Sequence, residues 1–186
     1  MKIHLQSPQE IRPQIWKELG RASLDRHHEW RTPVLASTDA DGLADARTVV
    51  LRQVDAVTGH LEIYTDKRSP KVAQLVSQPL ATLVFWSARL SWQLRARVRF
   101  SVMTSGPYVE SLWQNMKQSP AAGDYLSPAA PGAALPADQL AVDTPNLTHG
   151  FAVLRAQVLE MDWLELSRNG HRRARLTDGN WDWLTP

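Results

Sequence analysis

The chain has 186 residues, 43% of them hydrophobic, with a formal net charge of +2 and no cysteine. That is long and apolar enough for one domain with a real core, residues 1–186. The near balance of charge argues against nucleic acid as a partner, and the absence of cysteine excludes disulfides, thiolate catalysis and Cys-ligated metals.

The opening MKIHLQSPQE lacks the apolar stretch of a signal peptide, and no apolar run is long enough to span a membrane. A soluble cytoplasmic protein is expected. Ser7 and Glu10 stand at capping-box spacing. Ile11, Ile15, Leu19 and Ala22 continue at helical period, which predicts an amphipathic helix from Pro8 to about Trp30. Pro33–Thr38 reads as a first strand, and Asp39 to Gly42 as the turn into a second. Val49, Val50 and Leu51 are β-formers, so Leu43–Arg52 reads as one strand. Asp55 to Gly59 is a turn, and Leu61–Thr65 the returning strand.

Ser69 is a good N-cap and Pro70 suits the first position of a helix. Val72, Leu75 and Val76 then share a face, and Pro79 stops the helix. Two more strands follow, Leu80–Trp86 and Trp92–Thr104. Ser105-Gly106-Pro107 opens a mid-chain helix with Val109, Leu112, Trp113 and Met116 on one side. Gln118 to Thr148 is rich in Pro, Ala and Gly and reads as a long loop. Phe151–Leu166 is strand-like, and Arg172–Leu176 with Trp181–Leu184 forms a closing hairpin around Asp178-Gly179. Antiparallel strands with a few helices predict a mainly β protein, a barrel with α additions.

The chemistry concentrates in one stretch. Arg47, Arg52, Arg68, Ser69 and Lys71 surround two short strands and a helix start. A helix N-terminus beside cations is a natural phosphate site. Taken alone, the same residues also read as an ordinary capped surface helix. Gln93 follows on a strand whose other face, Trp92, Leu94, Ala96, Val98 and Phe100, suits a core. Arg47 and Arg52 are five apart, so on an undistorted strand they face opposite ways, and only a bulge or strand end brings them together. The six histidines show no metal-ligand spacing, so no metal is expected.

The Arg-Thr-Val-Val-Leu-Arg strand, the Tyr64-Thr65 step, Ser69-Pro70-Lys71 and the later Gln93 resemble the signature of the pyridoxamine 5'-phosphate oxidase family. That resemblance implies an antiparallel Greek-key split barrel with FMN as cofactor. It assigns cofactor contacts to Arg47, Thr48, Val49, Val50, Leu51, Arg52, Tyr64, Thr65, Arg68, Ser69, Lys71 and Gln93. The family's C-terminal tryptophan, histidine and arginine are matched in spacing by Trp163, His171 and Arg173. Trp163 and Arg173 are then expected against the flavin from a partner subunit, in a homodimer with FMN at the interface. Arg52, Lys117 and His171 fall at substrate-binding positions.

The first arginine of the C-terminal motif is replaced by Asn169. Trp113 and Ala121 replace two further substrate-phosphate groups. The flavin site is thus retained and the vitamin B6 site eroded. Three readings follow: an FMN-dependent oxidoreductase acting on a small molecule, a non-catalytic flavin carrier or sensor, or a split barrel holding haem or a deazaflavin.

Overall fold

The computed structural model describes residues 7–134 and 148–186. Helix α1, Pro8–Leu24, opens with Ser7 N–H donating to Glu10 Oε2 at 3.4 Å. Ile11, Ile15, Leu19 and Ala22 have no exposed surface. Each large aliphatic side chain removed from water stabilises the fold by about 1.5–3 kcal/mol. The helix ends well before Trp30. Asp25 takes extended backbone angles, and its carboxylate accepts the His27 N–H at 2.8 Å, a local bond that competes with helix continuation. A 3-10 turn, Glu29–Arg31, then drops Trp30 into the core against Phe85 and Trp92.

Nine strands are found among the described residues: β1 Val34–Thr38, β2 Ala44–Thr48, β3 Leu51–Asp55, β4 His60–Asp66, β5 Leu80–Ser87, β6 Trp92–Met103, β7 Phe151–Glu165, β8 Arg172–Leu176 and β9 Trp181–Leu184. All pairings are antiparallel. The order is β2-β1-β5-β6-β7-β4-β3, with β8 and β9 added beside β7. This is the split-barrel arrangement, and the sheet does not close into a hydrogen-bonded ring. Its two end strands, β2 and β3, are consecutive in the chain.

The expected single strand over Leu43–Arg52 is therefore two. Arg47 pairs with Leu35 of β1, whereas Leu51 pairs with Ile63 of β4. Between them Val49 leaves both ladders and donates its N–H to Pro33 O at 2.9 Å. β-propensity registered both halves but not the change of partner.

β7 is the common wall. It pairs with β6 along its length, with β4 through residues 151–157 and with β8 through residues 161–165. The switch falls at a bulge: Arg97 faces Glu160 and Val98 faces Val158, so Leu159 is the extra residue. Bulges bend and twist a strand, which lets β7 leave one neighbour and join another.

Two clusters form the core. One fills the barrel with α1, Trp30, Leu35, Leu51, Ile63, the inward face of β6, and Trp163. The other lies on the opposite face of β7. There Val109 and Trp113 of helix α3, Pro107–Met116, meet Tyr125, Phe151 and Val153. Trp113 also stacks on His149 at 4.5 Å. Part of the expected loop from Gln118 is thus structured: Pro120–Tyr125 is a 3-10 segment with Tyr125 buried. Residues 126–134 have no helix or strand, as expected, and residues 135–147 of that expectation lie outside the described residues. Helix α2, Pro70–Ser77, starts at Ser69 as expected and buries Val72 and Leu75, but Val76 faces solvent.

Candidate functional site

Lys71 stands at the start of α2 and is half-buried. Its ammonium donates to Ser69 Oγ at 2.6 Å and to Thr65 Oγ1 at 3.3 Å. Among the described residues it enters no ion pair. Burial holds it below the usual lysine range, and nearby Arg47 adds to that; Asp66 and Asp45 oppose it less strongly. Tyr64 and Thr65 come from the end of β4, so strand end and helix start converge here.

Arg47 reaches the same place from β2. Its Nη2 donates to Gln74 Oε1 at 2.9 Å, and its Nη1 donates to Ser37 Oγ and to Leu35 O. It also pairs with Asp45. Gln74 closes the network: its Nε2 donates to Asp45 Oδ2 at 2.8 Å, while its Oε1 accepts from Ser37 Oγ at 2.7 Å. The Gln74 amide, then Arg47, hold the Asp45 carboxyl below its ordinary range. Ser37, Asp45 and Gln74 carry no motif signal. Only the fold brings them to Arg47.

Arg52 lies elsewhere, and strand parity does not place it. Leu51 pairs with Ile63 and Gln53 with Glu62, so Arg52 is the extra residue of a bulge. Its guanidinium sits 5.9 Å from the Tyr64 ring centroid. Its Nε is buried with no hydrogen-bond partner among the described residues. Tyr64 itself accepts from Gln53 Nε2 at 2.7 Å, and burial raises its phenol above the ordinary range.

Several expected contacts stand differently. Arg68 is committed: its guanidinium grips Asp66, with Nη2–Oδ2 at 2.6 Å, and also donates to Ser127 O and Pro128 O. Its donors are therefore engaged by groups other than Ser69, Thr65 and Lys71. Trp163 has no exposed surface and packs on Trp92 at 5.3 Å, because β7 turns it into the barrel. Its indole Nε1 is buried with no hydrogen-bond partner among the described residues. Leu51 is likewise fully buried and Val49 nearly so, leaving only their backbone to offer; Thr48 is exposed and Val50 half-buried.

Gln93 and Arg173 share a row on the outer sheet face, each opposite Leu164. Arg173 is held by Asp162 in a two-point bond of 2.9 and 2.7 Å. His171 is exposed and its Nδ1 accepts the Ser167 N–H. Lys117 is exposed at the end of α3. The structure does not bring Lys117 or His171 to Arg52 through any hydrogen bond or ion pair.

The family model for the pyridoxamine 5'-phosphate oxidase, FMN-binding domain matches residues 13–104, the part that carries Arg47, Lys71 and Gln93. The chain belongs to this family. A pyridoxine/pyridoxamine 5'-phosphate oxidase of Chromohalobacter salexigens is 31% identical over 105 residues, 55% of this chain and 47% of that protein. One from Thermosynechococcus vestitus is 41% identical over 61 residues, 33% of this chain and 28% of that protein. The chain thus spans less than half the length of these curated relatives. An FMN-binding, pyridoxamine 5'-phosphate oxidase-related protein of Nostoc punctiforme superposes with a TM-score of 0.74 at 24% identity, over 97% of this chain and 98% of that one. PhzG of Burkholderia lata gives 0.75 at 18% identity over the whole of both chains. At these identities the structural likeness establishes the fold.

FMN is the cofactor of this family domain. The residues present fit it. A half-buried ammonium without a carboxylate partner calls for an anion, and Ser69 and Thr65 hydroxyls beside it are ready donors. No helix among the described residues is long and apolar enough to cross a membrane.

Proposed function

We propose that the chain is a single FMN-binding domain that works as an oxidoreductase on a small molecule, as a homodimer in the cytoplasm. The observation that supports this most is Lys71, a desolvated cation with only hydroxyl partners in a chain of the FMN-binding family. Lys71, Ser69, Thr65 and Arg47 would hold the FMN phosphate. Gln74 and Asp45 keep the Arg47 guanidinium in place. Bound FMN supplies the redox chemistry that no side chain of this chain has. Arg52, on its bulge beside Tyr64, would face the ring and the substrate and favour negative charge there.

Gln93 and Arg173 take no part in the hydrogen bonds around Arg47 and Lys71. They lie on an outer row that continues from half-exposed Trp86 through Leu164 to Leu184. A second copy laid on this face would bring them to its neighbour's cofactor. Of the substrate-phosphate groups after the mid-chain helix in the true oxidases, only the charge at Lys117 is kept here. Trp113 is a core residue under His149, and Lys117 is an isolated exposed cation. The substrate is accordingly proposed to differ from a vitamin B6 phosphate.

Titration of the protein with FMN and with riboflavin tests the phosphate cradle. FMN should bind far more tightly, and equal affinities would refute the assignment. Dilution should release flavin as the dimer dissociates; a monomer holding FMN stoichiometrically would overturn the dimer. Fast bleaching of the bound flavin by candidate reductants separates an enzyme from a carrier.

A further inference from the structure

Asp45 stands among the groups assigned to the cofactor phosphate, yet it carries the same sign of charge as the phosphate. It lies two residues before Arg47 on β2, so both side chains leave one face of the strand. Its carboxylate pairs with Arg47 Nη2 and accepts from Gln74 Nε2 at 2.8 Å. Gln74 follows Lys71 by three residues on α2, which makes the two neighbours on one face of the helix. The Gln74 amide, then Arg47 and last Lys71, hold the Asp45 carboxyl below its ordinary range. The Asp45 side chain is 44% exposed, so its charge is open to an approaching ligand.

A guanidinium has a limited set of N–H donors, one on Nε and two on each Nη. Arg47 Nη1 donates to Leu35 O and Ser37 Oγ. Its Nη2 donates to Gln74 Oε1 at 2.9 Å and pairs with Asp45. A phosphate is thus left with Nε–H, or shares Nη2 with the carboxylate. The three neutral acceptors already fix the guanidinium, so Asp45 is not needed to orient it. Charge points the same way. Arg68 is spent on Asp66, and Arg47 and Lys71 against Asp45 leave a surplus of a single positive charge. A phosphate monoester brings about −1.5 to −2 at pH 7. A carboxylate beside it weakens its binding by like-charge repulsion.

We propose that Asp45 is an affinity-limiting residue of the FMN cradle: its carboxylate competes with the cofactor phosphate for Arg47 and Lys71, and FMN is thereby held as an exchangeable ligand. This rests on the reading that Arg47 and Lys71 serve the FMN phosphate. Riboflavin has no phosphate and does not feel the competition. The preference for FMN over riboflavin is therefore set below what the two cations alone would give. Removing the carboxylate returns a donor on Nη2 and one unit of charge to the phosphate, while Leu35 O, Ser37 and Gln74 still hold the guanidinium.

The test titrates FMN and riboflavin into the full chain and into its Asp45→Asn and Asp45→Ala variants at low ionic strength, where charge effects are least screened. Each variant should bind FMN about fivefold more tightly than the parent, the scale of one partly exposed charge interaction. FMN should also leave the variants more slowly, because affinity differences of this kind lie mostly in the dissociation rate. Riboflavin affinity should not change, and added salt should erase the gain. Asp45→Asn keeps the side-chain shape and an acceptor for Gln74, so the answer survives if Asp45→Ala folds poorly. Weaker FMN binding in Asp45→Asn would make Asp45 a support of Arg47 and overturn the proposal. Unchanged FMN binding, or an equal gain for riboflavin, would overturn it as well. Lys71→Ala, run in parallel, reports on the cradle itself. If it keeps full preference for FMN, the functional reading fails at the cradle and this inference falls with it. If it loses that preference while the Asp45 variants gain nothing, only the role of Asp45 is refuted.

Discussion

The polar network around Lys71 and the one around Asp162 each set two cations against one carboxylate, yet they differ in their access to water. Arg95 and Arg173 share Asp162, and the Arg95 side chain is 45% exposed. Solvent screens whatever charge is left over there. Arg47 takes up Asp45, and Lys71 is left with two hydroxyls in a half-buried place. A surplus charge removed from water is expensive unless something pairs with it. The burial of a surplus cation, rather than the number of arginines, is therefore what separates a ligand site from a stabilised sheet face.

The largest effect expected on either side of this comparison comes from Trp163. It lies on the same strand as Asp162 but points inward, with no exposed surface. Trp163→Ala should cost about 3–5 kcal/mol of stability, as truncation of a large core aromatic does. Denaturant unfolding of the cofactor-free protein measures it. A loss under 1 kcal/mol together with a large fall in FMN affinity would restore Trp163 to the cofactor.

Next in size is the cradle itself. A charge-assisted bond to phosphate contributes about 1.5–3 kcal/mol, and each 1.4 kcal/mol is about tenfold in affinity. Lys71→Ala should weaken FMN binding by roughly ten- to a hundredfold on that scale and leave riboflavin nearly unchanged. Arg47→Ala should act in the same direction. An equal loss for both ligands would mean that the lysine supports the fold and not the phosphate.

Much of this was legible in the residues. The period of Ile11, Ile15 and Leu19 gave the buried helix face. Alternation from Trp92 to Phe100 gave the inward side of β6. Ser69 and Pro70 marked the start of α2. Each of those signals is local. Most of what was not legible depends on partners distant in sequence; the early end of α1, set by the Asp25–His27 bond, is a local exception. Val49 and Val50 favour strand, and only the switch from β1 to β4 breaks it. The Trp163 to Arg173 spacing is reproduced by the β7–β8 hairpin, which fixes separation along the chain but turns Trp163 into the barrel. Arg68 sits beside Ser69 in sequence, but Asp66 pulls its guanidinium to residues 127 and 128. Tyr125 gave no periodic signal because it lies in a short 3-10 segment.

Arg52 sharpens the comparison from a third position, as a cation set apart from the Arg47 network by the strand break and its own bulge. Arg52→Ala should change FMN affinity by less than about threefold, because it adds no bond of the 1.5–3 kcal/mol class to the phosphate. It should instead shift the flavin redox potential or turnover. If Arg52→Ala loses FMN selectively while Arg47→Ala does not, the roles of the two arginines are reversed.

The smallest effect is the most specific to burial. Lys71 titrates below the usual lysine range, with burial as the leading cause. Phosphate binding needs the ammonium form. FMN affinity should therefore be complete below the lowered pKa of Lys71 and fall as pH rises through it, before an ordinary lysine would begin to lose its proton near 10.4. The cofactor-free fold should respond with the opposite sign. Its unfolded state holds the proton more tightly than the folded one, so deprotonation relieves a cost of folding and stability rises with pH across the same window. Lys71→Arg should abolish both slopes, because a guanidinium stays charged throughout. FMN titrations between neutral and alkaline pH on the two proteins measure the difference. Parallel profiles for the parent and Lys71→Arg would show that Lys71 keeps its proton over the whole range, and that a solvated cation, like those around Asp162, serves the cradle after all.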